Sequence, residues 1–467
     1  MTGTASARLC AWVTESPAVP AGGPLWQTAM MHITDTVAVM IAGASARAVT
    51  VLHAINSDAA PGGGPAGTVL GAQADARAAA LVNGAAAHVL DFDDFEMRAL
   101  IGHPSAVVLP AVLAVAQEHG VSLGELVSAY ATGVEVAIRV GELVNPDAFL
   151  RSWATTAVVG VIGATAGCCR LSRLDAGTTE KALGVASSLA AGMKFNVGSM
   201  TKALHAGNAA AQAVLAMRLA ARGYDAMPDF LGATGGFAEA VAGRPARDVP
   251  GSWPADRELA LTSGDIWLKQ YPSCGATHAP MDALRDILAA GVDAGSITRI
   301  SCEVPPHSLN VLPFRVPKTG LEGKFSLPYC MAVTVTNGSV TARHFDDSSF
   351  RLPDDVRSLI TRISMTLAAD WDASGYVSSQ APVGARVSVT AEGKSYRAER
   401  QQPAWSSAAG VDRASFTQKV QSCLSARFSA AEADAWLEEL RAAPANAGLD
   451  LLTAPLAVAA TDQPRPL

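Results

Sequence analysis

Between Ser105 and His119 the chain reads SAVVLPAVLAVAQEH, apolar on nearly every face of a helix. A helix of that kind has no side to offer to water, so other elements must surround it. This stretch therefore predicts a large helical core with a fully buried helix inside it. Small residues let the neighbours close in. Alanine and glycine are abundant and aromatics make up only 6% of the chain, which favours tight helix packing.

The flanking segments agree. Ala29, Met30, Ile33, Val37 and Met40 lie close to helical spacing, predicting a helix over 25–44. An alanine-rich helix is expected over 74–90, with His88 as a packed helix residue. Ser122-Leu123-Gly124-Glu125 is a capping box that opens a helix to about Val144, ended by Asn145-Pro146. A small-residue helix from Ala157 follows, then helices over 178–191 and 208–222. After Gly264 the texture changes. Alternating segments over 298–304, 331–340, 361–367 and 385–400 predict strands, the last a hairpin across Glu392-Gly393-Lys394. Helices are expected between them, over 279–290 and 353–360. A second capping box, Ser429-Ala430-Ala431-Glu432, leads a helix to Arg441, so the chain returns to its helical part. From about 443 a loose tail is expected. The fold class is mostly α. A helical domain covers 1–264 and is completed by 405–467, and a smaller α+β domain covers 265–404.

The net charge of -7, with acids and bases mixed and no basic stripe, argues against a nucleic-acid partner. Seven cysteines with no CxxC pair give neither a disulfide framework nor a zinc site, so a reducing cytoplasm is expected. The N-terminus lacks the apolar core of a signal peptide, and the uncharged run from Trp153 to Cys169 is short and glycine-rich for a membrane span. No GxGxxG follows a predicted strand, and a GxxxxGK[ST] loop, a GxSxG elbow and an HExxH pair are missing, so nucleotide, nicotinamide and metal chemistry are not signalled.

What remains is a set of polar groups in a chain only 16% charged. Asp91, Asp93 and Asp94 follow the helix that holds His88. A loop then presents Gly102-His103-Pro104-Ser105, where Pro104 restricts the backbone of His103. Histidine titrates close to working pH. The segment GSMTKALHAG sets Lys202 and His205 just ahead of a helix N-terminus, where an anion is favoured. Lys269, Tyr271, His278 and Tyr329 complete the candidates. The bland reading makes the acids a helix fringe and Lys202 a solvated lysine. The functional reading is proton transfer on a carboxylate substrate.

These pieces resemble the MmgE/PrpD family, which includes 2-methylcitrate dehydratase, cis-aconitate decarboxylase and iminodisuccinate epimerase. The matching motifs are Asp91-Phe92-Asp93-Asp94 with Gly102-His103-Pro104-Ser105, Thr201-Lys202-Ala203-Leu204-His205-Ala206-Gly207, Lys269-Gln270-Tyr271-Pro272-Ser273-Cys274 with His278, and Lys324-Phe325-Ser326-Leu327-Pro328-Tyr329. The resemblance implies a helical domain under an α+β lid domain, a site in the cleft between them, a homodimer, and no cofactor or metal. It implies a lyase acting on a small di- or tricarboxylate. An epimerase of a dicarboxylate such as iminodisuccinate is the alternative, and an inactive carboxylate-binding member a further one. In the implied roles His103 shuttles the proton, Asp93 orients it and Tyr329 donates a hydrogen bond or proton. Lys202, Lys269, His205, His278 and Thr156 are the implied substrate contacts. The chain departs from the family at Trp153-Ala154-Thr155-Thr156, where relatives carry a histidine after the aromatic residue. One cationic contact fewer points to an acid less charged than a tricarboxylate.

Overall fold

The computed structural model describes residues 3–59, 63–245, 258–368, 370–371, 383–406 and 410–457. The last ten residues of the expected tail lie outside them.

The helix Ser105–His119 is where its composition requires, with every residue from Ser105 to Ala116 buried. Around it stand Ala76–Val89, Leu123–Val144, Gly160–Leu171 and Met200–Ala221. The packing is close because glycines meet. A side chain on Gly84 would come within 2.9 Å of the Gly207 Cα, and one on Gly207 within 2.3 Å of the Leu81 carbonyl oxygen. The two helices therefore touch backbone to backbone, and they carry His88 and Lys202. The capping box at Ser122 and Glu125 is formed and opens Leu123–Val144, and that at Ser429 and Glu432 opens Ala430–Ala442.

The helical core reaches from Ala5 to Leu268 and resumes from Trp405 to Leu456. A second core spans Tyr271 to Ala398. There a four-stranded sheet runs in the order Ile363–Leu367, Ile297–Val304, Ala385–Ala391, Lys394–Arg400, with the first pair parallel and the others antiparallel. The helix His278–Ala289 packs on it. Glu392 and Gly393, both at positive φ, turn the expected hairpin. The fold is thus mostly α with a smaller α+β part.

Three expectations are corrected. Residues 331–340 are not a strand. Leu327–Asn337 is a helix whose first turn is capped by the Ser326 hydroxyl and which Gly338 ends in the left-handed region. Every residue from Leu327 to Val335 is buried, so no solvent face leaves a helical period to read there. The helix expected from 208 begins at Met200, which places Lys202 and His205 inside its first two turns. The stretch from 443 is not loose as far as 457, since Asp450–Ala457 is a helix with Leu452 and Leu456 buried. Among the described residues no single helix is long and apolar enough to cross a membrane.

Candidate active site

The site grows from the C-terminal end of Ala76–Val89. The chain leaves that helix through Asp91, which adopts a left-handed backbone at φ 53°. That conformation is uncommon outside glycine, and Asp is among the residues that tolerate it. It sends the three acids of 91–94 to different partners. Asp94 turns inward to the His32 ring at 2.7 Å and to the Ser105 hydroxyl, which in turn meets the Tyr130 hydroxyl at 2.6 Å. Asp94 thus ties the acidic loop to the buried helix.

Asp91 turns to the lysines. Lys202 Nζ donates to its Oδ1 at 2.6 Å, and Lys269 Nζ donates both to its Oδ2 at 2.7 Å and to its carbonyl oxygen at 2.8 Å. Lys269 reaches this point because Ile266–Trp267 pairs antiparallel with Phe95–Glu96. Burial alone would raise the Asp91 carboxyl, but the two ammonium groups hold it well below the usual carboxylate range.

Asp93 turns to two imidazoles. Its Oδ2 lies 2.8 Å from His88 Nδ1 and 3.1 Å from His103 Nδ1. Against the effect of burial, the facing His103 and His88 rings hold this carboxyl well down too. His88 was expected to be mere packing and is instead a link in the network. Its Nε2 lies 2.8 Å from Lys202 Nζ. An ammonium only donates, so Nε2 accepts and Nδ1 carries the proton that meets Asp93. Burial, followed by the Lys202 charge, pushes His88 down to about 3, so the ring is neutral.

His103 Nδ1 lies 2.8 Å from the carbonyl oxygen of Asp94. A carbonyl only accepts, which places a proton on Nδ1 and leaves Nε2 as the nitrogen that can gain or lose one. Nε2 faces Asp91 Oδ1 at 4.0 Å, and the side chain is 15% exposed. The two imidazoles meet edge on, with centroids 4.6 Å apart. The loop that delivers His103 is held from within. Glu96 is buried, and its carboxylate accepts from the backbone N–H groups of Arg98, Ala99, Leu100 and Ile101, while Glu96 and Gly102 exchange backbone hydrogen bonds.

The other expected contacts fall elsewhere. The Thr156 hydroxyl accepts the His103 backbone N–H at 3.2 Å, so it sets the ring's position. His205 is nine-tenths buried beside Gly192 and Ala154, and burial with the Lys202 charge pushes it down to about 4. His278 lies behind Lys269, against the rings of Tyr271 and Phe95, pushed by burial and that lysine to about 3. The structure does not bring Tyr329 into the cluster: its hydroxyl donates to the His344 carbonyl at 2.6 Å. A lysine outside the expected set stands in the wall. Lys324 is buried, donates to the Val89 carbonyl oxygen at 2.7 Å, and is pushed by burial down to about 8.

A cavity of about 10 Å³ lies between the two parts, walled by His88, Asp91, Gly198, Lys202, Lys324 and Phe325. That is room for about one water. His88, Asp93 and His103 have ligand atoms within 4.8 Å of one another, a spacing that could hold a metal ion. Two facts favour acid/base use of the same atoms: both Nδ1 protons are directed to oxygens, and the Lys202 ammonium touches His88.

The fold and this site define a member of the MmgE/PrpD family, and the chain belongs to it. The family's N-terminal domain matches residues 7–249 and its C-terminal domain residues 271–442. Among individual proteins, the chain is 28% identical to cis-aconitate decarboxylase of Homo sapiens over 307 residues, 62% of this chain and 62% of that protein. It is 26% identical to cis-aconitate decarboxylase of Aspergillus terreus over 323 residues, 64% of this chain and 65% of the other. It is 25% identical to a cis-aconitate decarboxylase-like protein of Aspergillus oryzae over 410 residues, 83% of each. The matches to the human and Aspergillus terreus enzymes thus span less than two thirds of their length.

Proposed function

We propose that the protein is a cofactor-independent carboxy-lyase that removes carbon dioxide from a small polycarboxylate. The observation that carries the reading is His103, a partly open ring whose tautomer is set by Asp94 and Asp93 beside a lysine-bound Asp91. In the proposed step the carbon–carbon bond to the departing carboxylate breaks and its electron pair stays on the substrate carbon. The imidazolium form of His103 delivers its Nε2 proton to that carbon, and carbon dioxide leaves. Asp93 and Asp91 are the carboxylates that face this ring. Buried ammonium groups hold a carboxylate that the substrate keeps.

Two considerations favour this over dehydration or epimerisation. Carbon dioxide needs no acid to leave, whereas departing hydroxide does, and Tyr329, expected to donate a hydrogen bond or proton, is turned to His344. Epimerisation needs proton carriers on both faces of one carbon, and the second ring here, His88, has both nitrogens engaged. The decarboxylases among its relatives support the same class. With Ala154 in place of a histidine, the proposed substrate is a dicarboxylate or a substituted acid rather than cis-aconitate itself.

The test is to incubate the purified protein with cis-aconitate, 2-methylcitrate and a panel of unsaturated dicarboxylates, following products by mass spectrometry. A product lighter by carbon dioxide is expected. Loss of water alone would select a dehydratase, and solvent deuterium entering an otherwise intact acid would select an epimerase. No turnover of any acid would sink the enzymatic reading.

A further inference from the structure

Four buried or nearly buried lysines stand around the acidic loop; Lys419 is paired with Asp35, and the other three are not equivalent. Lys269 is 0% exposed and spends its ammonium on Asp91, through both the carboxylate and the carbonyl. It is not part of the cavity wall. Lys202 is in the wall, but one Asp91 oxygen and His88 already occupy it. Lys324 is in the wall, 3% exposed, and its hydrogen bond goes to a neutral group, the Val89 carbonyl. Among the described residues no carboxylate lies within ion-pair distance of it. An ammonium has three N–H groups. A buried ammonium without a counter-charge is expensive to keep, and buried charges are normally paired.

The wall facing Lys324 carries a helix N-terminus and one ammonium, and it shares the cavity with the Asp91 carboxylate, which Lys202 and Lys269 already hold. Gly198, Ser199, Lys202 and Ala203 line it, at the N-terminal end of the 22-residue helix Met200–Ala221. The Ser199 hydroxyl does not cap that helix but donates to the Asn196 carbonyl oxygen at 2.8 Å. First-turn N–H groups left without a cap attract an anion.

We propose that Lys324, rather than Lys269, is the second cation that grips the substrate: with Lys202 and the uncapped helix end it seats the carboxylate that the substrate retains. The ligand class is a small organic acid with at least two carboxylates, one retained on this seat and one lost beside His103. The assignment rests on the lyase reading above. Because the cavity holds about one water, the acid enters as the Leu321–Phe325 wall and the Gly198–Ala203 wall part.

The test compares the native protein with Lys324→Met, which keeps the length of the side chain without its charge, and with Lys324→Arg. Calorimetry measures binding of cis-aconitate and of citraconate, a dicarboxylate, and crotonate serves as a monocarboxylate competitor. Lys324→Met should weaken the two polyacids roughly 10- to 100-fold, the worth of a hydrogen bond to a charged group, and leave competition by crotonate nearly unchanged. Lys324→Arg should restore most of the loss. Circular dichroism checks that each variant is folded. If folded Lys324→Met binds polyacids like the native protein, or loses all three acids equally, the seat is wrong. In that case native turnover of the acids would leave the lyase reading standing. If the native protein binds none of the acids, both fall.

Discussion

Asp91 decides what the acidic loop can do. At φ 53° it presents one carboxylate oxygen to Lys202 and the other to Lys269, while Asp93 is left for the two imidazoles. The division of labour gives a direct expectation at His103. His103→Ala should lower turnover by about 100-fold or more, the usual worth of a positioned acid/base, and should also cost stability because buried Asp93 loses one of the two rings that face it. Steady-state rates on whichever acid the native protein consumes check this, and near-native rates would remove His103 from the mechanism. Lys324 makes a different prediction, on stability. Its folded pKa is pushed down from 10.5 to about 8, so the neutral form is favoured by burial. The associated stability is present above pH 10.5 and is lost as the pH falls through about 8. Removing the amine with Lys324→Met should therefore raise stability at pH 7, by an amount on the order of 3 kcal/mol less the lost hydrogen bond, and give no gain at pH 10.5. Urea unfolding at the two pH values measures it. Much of this site was legible in the sequence, because Asp93, His103, Lys202 and Lys269 sit in motifs. The role of Asp91 was not, since only a left-handed backbone separates its direction from that of Asp93 two residues on. Lys324 is not legible, because lysines are mostly exposed and nothing in KFSLPY marks this one as buried.

At the scale of elements, the loop from Glu96 to Gly102 is a device for delivering one ring. Its interior is a carboxylate ringed by backbone donors, and Asn145 holds the Ala99 and Leu100 carbonyls from outside at 2.8 Å. Burial raises the Glu96 carboxyl to about 7 despite those donors. Glu96→Ala would leave several buried N–H groups without an acceptor, at about 1–3 kcal/mol for each that water cannot reach. We expect a loss of several kcal/mol in denaturant unfolding together with a fall in turnover, and a milder effect for Glu96→Gln, which retains one acceptor oxygen. Equal behaviour of the two variants would show that the side chain does not organise the loop. Helices with one wet face or a capping box were readable to within a few residues. Leu327–Asn337 was not, because it is buried from Leu327 to Val335 and its β-branched run cannot be told from a strand by periodicity. The start of Met200–Ala221 is hidden in the sequence because its first turns carry the polar residues of the site.

Across the whole molecule, the end of the chain supports the site. Lys419, on the helix Arg413–Leu424, pairs with buried Asp35 at 2.6 Å and donates to the Phe92 carbonyl at 3.0 Å, inside the acidic loop. Burial raises the Asp35 carboxyl to about 6 even with Lys419 beside it. Its contribution to stability is full below pH 3.8 and is lost as the pH rises through about 6. Lys419→Met raises the carboxyl further. The variant should lose about 3–5 kcal/mol at pH 8, where the lone carboxylate would be charged, and much less at pH 5, where it is neutral. Thermal unfolding at both pH values distinguishes this from a loss independent of pH. The glycine contact between Ala76–Val89 and Met200–Ala221 carries a mechanical consequence. Two rods pressed backbone to backbone, with 2.9 Å left for any added side chain at Gly84, flex as one beam. His88 and Lys202 ride on that beam, so the helical jaw of the cavity is an anvil and the stroke belongs to the jaw bearing Lys324. Hydrogen exchange on binding a substrate analogue should slow at 320–325 and stay unchanged along Ala76–Val89. Equal slowing on both sides would mean that the beam bends, and that the spacing of His88 and Lys202 is an adjustable setting of the machine.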